Sequence, residues 1–195
     1  MTGVWRMVKT NNTANAQGLP ALAARVARMR VPLGFLCAGA VLWLARPTLR
    51  SLAVGGAIAI CGEVVRIWAA GHLEKGREVT QSGPYRITRH PLYIGSAVIA
   101  LGAAVASARG SAMILIGAYM AATLVAAARH EEAGMRASFG DQYAAYAESR
   151  AMPVARPFSL ARAIKNKEHK AVAGLVLVGW IAHKRWRNRK PKDSA

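Results

Sequence analysis

Apolar side chains dominate four stretches of this chain, at residues 31–45, 52–70, 92–108 and 111–128, and polar ones gather between them. A helix that crosses a bilayer needs about 20 residues, with a lower limit near 17, and the last three stretches are of that length or close to it. The first is short, and spans only where Arg30 and Arg46 extend their charged ends to the headgroups and the helix runs on past Pro47. Burying four such helices in a soluble bundle would need amphipathic partners to cover them, and the rest of the chain has little amphipathic material. The pattern therefore predicts an all-α fold, a polytopic membrane helical bundle of four spans. Only Arg109 and Gly110 separate the last two spans, so these form an antiparallel hairpin. Small residues four apart, Gly55 with Ala59 and Ala100 with Ala104, permit close approach of two backbones. After a solvated stretch comes a further apolar run at 171–182, too short to cross and followed by Lys184, Arg185, Arg187, Arg189 and Lys190. It reads as a short interfacial or partly embedded helix, with Trp180 and Trp186 at headgroup depth. The chain thus divides into a basic N-terminal tail (1–30), a membrane domain (31–170) and a short apolar helix with a basic C-terminal tail (171–195).

Charge orients this bundle. Lys and Arg number 27 against 9 Asp and Glu, a net +18 over 195 residues. Such a balance suits nucleic acid, anionic lipid or an acidic substrate. The cations cluster between apolar runs and form no continuous basic face interleaved with aromatics, which argues against a nucleic-acid partner and for membrane orientation. Arg6, Lys9, Arg25, Arg28 and Arg30 precede the first span, four basic residues lie at 75–89 and eight at 129–170, while Arg46, Arg50 and Arg109 occupy the opposite side. The positive-inside rule then predicts an integral membrane protein whose N-terminus and two polar loops face the cytoplasm. Cys37 and Cys61 lie inside apolar runs without metal or disulfide spacing and read as small hydrophobes. No apolar signal core precedes Pro20, so the mature chain is expected to keep its own start, although a beginning with basic and no acidic residues also suits a mitochondrial transit peptide.

The candidate chemistry sits in those two loops. One is Ser82-Gly83-Pro84-Tyr85-Arg86-Ile87-Thr88-Arg89-His90-Pro91-Leu92-Tyr93-Ile94-Gly95, and the other is Arg129-His130-Glu131-Glu132. Pro84 and Pro91 disfavour helix at Gly83 and His90 and free peptide groups to meet a ligand. Non-helical backbone at membrane depth persists where it lines a polar cavity. Taken singly, Tyr85 and Tyr93 also read as interfacial belt aromatics, His90 as a structural hydrogen-bonder and the Glu pair as a solvated helix end. A helix ending near Arg129 would set both acids against its macrodipole, whereas one continuing into the cytoplasm would not. His72, His90 and His130 do not recur at helical spacing, and no HExxH occurs, so no metal site is predicted. Glu63 and Arg66, three apart within the second span, are either a functional pair or a structural salt bridge.

Together these elements carry a resemblance. Val79-Thr80-Gln81-Ser82-Gly83-Pro84-Tyr85, then Arg89-His90-Pro91-x-Tyr93-x-Gly95, then Glu131-Glu132, then Phe139-Gly140-x-x-Tyr143-x-x-Tyr146, resemble in order and spacing the isoprenylcysteine carboxyl methyltransferase family. The resemblance covers roughly residues 52–153, and the related phospholipid methyltransferases share the His-Pro and Glu-Glu elements. It implies an all-helical membrane enzyme that uses S-adenosylmethionine without a Rossmann sheet, in keeping with the lack of any GxGxxG after a strand. It also implies that Glu78, Val79, Thr80 and Tyr85, with His90, Pro91, Leu92 and Tyr93, surround the cofactor, and that Glu131 binds one of its polar groups with Glu132 beside it. The cofactor's sulfonium, ammonium, carboxylate, ribose and adenine call for acceptors, donors and flat apolar surfaces, all of which these residues supply.

Methyl transfer is an in-line displacement that requires the nucleophile about 3 Å from the methyl carbon. A carboxylate needs no general base, and attack on a sulfonium diminishes both charges, which a water-poor pocket favours. Arg129 is the candidate catalytic residue that orients such a carboxylate through a two-point contact. The family's substrate-linked Arg lies two residues earlier, where this chain has Ala127. Carboxyl methylation of a lipophilic, isoprenylcysteine-like acceptor is the leading expectation, with phospholipid amine methylation as its enzymatic alternative. The third alternative, a noncatalytic membrane protein or small transporter, lacks the internal repeat usual in transporters.

Overall fold

The computed structural model describes residue 29 and residues 32–150, 152 and 154–188. The basic tail predicted at 1–30 lies outside the described residues except for Met29, as do residues 189–195. The described residues are helical with no strand. Helix α1 is Pro32–Leu44, followed by α2 (Leu49–Ala70), a single 3-10 turn (Gly83–Arg86), α3 (Pro91–Ser107), α4 (Gly110–Ala147), α5 (Leu160–Lys165) and α6 (Glu168–Asn188). Helices α2 and α4 are each long and apolar enough to cross a membrane, and α1 and α3 are shorter apolar helices.

Local chemistry sets the boundaries. Thr48 and Ser51 form a reciprocal capping box at the start of α2, each hydroxyl accepting from the other's backbone N–H at 3.0 and 2.9 Å, which satisfies donors that a helix start leaves orphaned. Pro91 opens α3 at a position where its missing N–H costs nothing. Ala108, with φ at 49°, and the extended Arg109 then reverse the chain into α4. Arg46 N–H donates to the Ser107 carbonyl at 2.9 Å, and Ser51 Oγ donates to the Ala106 carbonyl at 3.1 Å. The α1–α2 and α3–α4 connections therefore share one end of the bundle, and the polar loops meet at the other.

The α2–α3 contact is backbone against backbone. A β-carbon built on Gly102 would lie 2.5 Å from the Gly55 carbonyl oxygen, and one on Gly62 would lie 2.7 Å from that of Gly95. Gly55, Ala59 and Gly62 thus face Gly95, Gly102 and Ala106. The expected partner pair Ala100 and Ala104 is corrected to Gly95, Gly102 and Ala106, which share the face turned to α2; glycine stands at the points where a carbonyl touches the opposite main chain and a methyl would intrude.

Two further expectations change. Helix α4 runs unbroken past Glu131 and Glu132, so the acids lie within a helix and the macrodipole penalty at a C-terminus does not arise. It changes direction at Gly140, whose φ of 46° a side chain would resist. Helix α6 is longer than the expected 171–182 segment and packs beside α2 instead of lying across the bundle end. Glu168 in its first turn holds Arg66, and Arg185 near its far end donates to the Trp43 carbonyl at 3.4 Å. Pairing of Glu168 with Arg66 neutralises the charge that would otherwise keep this turn at the surface.

Candidate active site

Folding brings the start of α3 against the middle of α4. His90, the residue before the buried Pro91, places Nε2 3.0 Å from Glu132 Oε1, and Arg89 Nη1 lies 3.4 Å from the same oxygen. One residue earlier on α4, Glu131 Oε2 accepts the Tyr93 hydroxyl at 2.6 Å. The His90 and Tyr93 rings stack with centroids 5.4 Å apart. Two successive residues of α4 therefore grip two residues three apart across the N-terminus of α3. The His90 hydrogen bond, assisted by Arg89 and Arg136, holds the Glu132 carboxyl below the usual range against the opposing effect of burial.

The second part of α4 closes over the loop. Tyr146 Oη donates to the Tyr85 carbonyl at 2.8 Å, and the buried Tyr143 ring lies 6.2 Å from that of Tyr146. Burial first, then Tyr143, pushes the Tyr146 phenol up to about 12, and burial first, then Glu131, raises that of Tyr85. Both remain neutral around pH 7. Thr80 and Val79 are buried, with Thr80 Oγ1 accepting from Glu74 N–H at 3.2 Å. Gly83 has φ at 56°, and a β-carbon there would strike the His72 ring, whose Nδ1 lies 3.1 Å from Ser82 Oγ.

Residues 154–168 strap this loop to α2. Arg156 pairs with Glu78 at 2.6 Å, and Arg162 donates to Glu74 at 2.9 Å and to the Gly71 carbonyl at 2.6 Å. Asn166 donates to the Ala70 and Leu73 carbonyls at 2.9 and 3.0 Å, so the strap satisfies acceptors left open where α2 ends. Arg66 binds Glu168 through both Nε and Nη2, while Glu63 stands 3.8 Å from Arg66 with neither carboxylate oxygen hydrogen-bonded. The Glu63–Arg66 pair read from the sequence is therefore secondary to a contact with α6. Between the end of α2, the 3-10 turn and residues 154–157 lies an open cleft of about 650 Å³.

The predicted residues thus fall into groups. His90, Tyr93, Glu131 and Glu132 form one bonded cluster, with Tyr85 joined to α4 through Tyr146. Pro91 is fully buried as a helix start, and the half-buried Leu92 offers its carbonyl to Ser96 Oγ at 2.9 Å. The Glu78 side chain is committed to Arg156. Arg129 is exposed and makes no side-chain bond among the described residues. Three contributors escaped the sequence reading. Arg89 and Tyr146 lay inside quoted motifs without an assigned role, and Arg156 had no local signal because its partner is 78 positions away.

No curated protein and no solved structure matches this chain. A model of the phospholipid methyltransferase family does match, over residues 29–142. The match takes in the His-Pro and Glu-Glu elements that meet in space and ends just before Tyr143, Tyr146 and the strap. Covering more than half of the chain, and agreeing with an all-helical bundle that carries two helices of membrane-crossing length, it establishes that this protein belongs to the phospholipid methyltransferase family.

Proposed function

We propose that the protein is an integral membrane, S-adenosylmethionine-dependent methyltransferase that modifies the head group of a lipophilic acceptor, foremost a phospholipid amine, on the cytoplasmic side. The observation that carries this reading is the cluster of His90, Tyr93, Glu131 and Glu132 at the loop end of an apolar bundle. When bound, S-adenosylmethionine supplies an electrophilic methyl group. The residues fit such a group by their donor set: Tyr93 occupies one oxygen of Glu131, and the other has no partner among the described residues and is open to an ammonium or a hydroxyl. The buried Val79 and Thr80, next to non-helical backbone, offer peptide groups and an apolar surface. With its side chain held by Arg156, Glu78 would contribute through its backbone.

An amine must shed a proton before it attacks carbon, and His90 together with the open oxygen of Glu131 supports such a transfer. Glu131, which no cation pairs among the described residues, also favours a cationic head group over an anionic one. The carboxylate acceptor keeps a second reading because Arg129, on the same helix one turn before Glu132, has a guanidinium free of other bonds. The loop end faces the cytoplasm in both readings, by the excess of Lys and Arg there.

The test uses the full chain in lipid nanodiscs with methyl-tritiated S-adenosylmethionine, offered phosphatidylethanolamine or a long-chain thioether carboxylate. Base-stable label in the phospholipid is the expected result, and base-labile label in the carboxylate would shift the assignment to an ester. Folded protein that neither binds the cofactor nor labels either lipid would overturn the proposal.

A further inference from the structure

The cleft beside the 3-10 turn is lined by none of the residues that make up the His90–Glu131 cluster. Its walls are instead Trp68 and His72 from the end of α2, Arg86 and Ile87 from the turn, and Val154 and Arg156 from the strap. These combine charge with exposed apolar groups. Ile87 is 80% exposed, Val154 56% and Trp68 41%, although each lines a concave surface of a small protein. Exposed apolar groups at the rim of a cleft mark a place where an apolar ligand is buried. Trp68 also ends a stripe: Ile60, Val64 and Trp68 recur every four residues along one flank of α2, and Ile60 and Val64 are 62% and 59% exposed. That stripe is a continuous apolar track from the depth of a membrane-length helix to the cleft.

The polar side of the cleft is positive. Arg86 is exposed and forms no ion pair among the described residues, in contrast to Arg156, which Glu78 partly neutralises. His72 on the facing wall is held toward its neutral form, by burial first and then by Arg162 and Arg156, and so adds no charge of its own. A cleft with a cation at one edge and an apolar track at the other matches a molecule with a negative head and a hydrocarbon tail.

We infer that this cleft docks the phosphate of a membrane amphiphile against Arg86, with the tail laid along Ile60, Val64 and Trp68. The inference deepens the methyltransferase reading, on which it rests for the identity of the amphiphile as the acceptor: the phosphate is the part that does not react, and its docking sets which head groups the protein accepts. Arg86 is then a specificity-determining residue and takes no part in the methyl transfer itself. The volume, about 650 Å³, accommodates a head group and the first methylenes of its chains.

The experiment reads binding without turnover. Full-length protein in phosphatidylcholine nanodiscs is given phosphatidic acid carrying a diazirine near the start of one acyl chain, or diacylglycerol with the same chain, and the labelled peptides are mapped. Phosphatidic acid labels the peptides around Trp68 and residues 154–157 several-fold more than diacylglycerol does, and millimolar inorganic phosphate does not displace it. Arg86→Gln lowers that labelling about tenfold or more, the loss of one charge-assisted hydrogen bond, and leaves S-adenosylmethionine affinity unchanged. Ile87→Glu, at a solvent-facing position, lowers it independently should Arg86→Gln disturb folding. Equal labelling by the two probes, or labelling unaffected by both variants, overturns the inference. Displacement by inorganic phosphate reassigns the cleft to a soluble anion, and a loss of cofactor affinity with intact lipid labelling reassigns it to the cofactor. Both results overturn the inference. Absence of cofactor binding in the wild type refutes the methyltransferase reading alone, since the labelling contains no cofactor.

Discussion

Replacing Glu131 by Gln isolates one charge at nearly constant shape. In the folded protein that carboxylate is solvent-exposed and holds the Tyr93 hydroxyl at 2.6 Å. A hydrogen bond on an exposed surface contributes at most about 1 kcal/mol, and the amide oxygen of Gln still accepts one. Stability should therefore barely move. A cation seated on the free oxygen, by contrast, loses a charge-assisted bond of about 1.5–3 kcal/mol, which is roughly a 10- to 150-fold loss of affinity. Tyr93→Phe keeps the charge and removes only the group that orients it, so its effect should be smaller, about three- to tenfold. Because Tyr93 acts through Glu131, the double variant should bind no worse than Glu131→Gln alone. Calorimetric titration of S-adenosylmethionine into each protein in nanodiscs, with melting curves alongside, measures all of this. Wild-type affinity in a well-folded Glu131→Gln sample would refute the role assigned to Glu131, and a larger loss in Tyr93→Phe would show that Tyr93 meets the ligand directly.

Gly102→Val should destabilise the bundle by about 1–3 kcal/mol or more, because its side chain would meet the Gly55 carbonyl and the Ala59 backbone; an unchanged melting temperature would contradict the α2–α3 packing. Glu132 has a folded-state pKa below its ordinary value, so its contribution is present above the unfolded value of about 4.3 and fades as pH falls through the folded one. The stability difference between wild type and Glu132→Gln, below about 1 kcal/mol for a partly exposed group, should accordingly shrink on acidification, and a difference that grows would reverse the assignment. Arg77→Cys and Asp141→Cys, in a background lacking Cys37 and Cys61, should be labelled from one side of the membrane and Arg187→Cys from the other. Labelling of the first two from opposite sides would sink the shared site.

Much of this arrangement can be read from residue order, and the rest depends on contacts that leave no local trace. Apolar runs locate α2, α3 and the first half of α4, because a helix of a lipid-facing bundle is apolar nearly all round. Pro91, which disfavours helix at His90, marks the start of α3, whereas the Thr48–Ser51 cap that starts α2 three residues before the apolar run emerges only in the structure. The approach of His90 to Glu132 follows from the antiparallel hairpin of α3 and α4, whose connection at Ala108 and Arg109 is too short for any other arrangement. The length of α6 did not follow, since a short apolar run ahead of a basic tail reads as a surface helix, and Arg66, which pairs with Glu168, is 102 positions away. Nor did the strap. Arg156, Arg162 and Asn166 sit in a basic, Pro-broken stretch whose composition resembles an ordinary solvated linker, and only the α2 carbonyls and the acids Glu74 and Glu78 give them a task. The small-residue contact was half legible: Gly55 and Ala59 were singled out, but in an Ala-rich partner helix periodicity cannot separate a glycine, which admits a carbonyl, from an alanine, which does not.

The ion pairing at the loop end also explains why particular charges are left available. Arg162 is spent on Glu74, Arg156 on Glu78, Arg66 on Glu168, and Arg89 together with His90 on Glu132. Glu131 accepts the neutral Tyr93 hydroxyl and meets no cation among the described residues. On the turn, Arg86 keeps its positive charge beside Ile87 and the cleft. Had the strap been absent, Glu74 and Glu78 would have set two further acids against Arg86, cancelling the field that draws an anion there. The strap residues therefore act on the charge of the cleft as well as on stability: by neutralising Glu74 and Glu78 they leave Arg86 on the turn without a competing acid, while Glu131 on α4 has no cationic partner among the described residues.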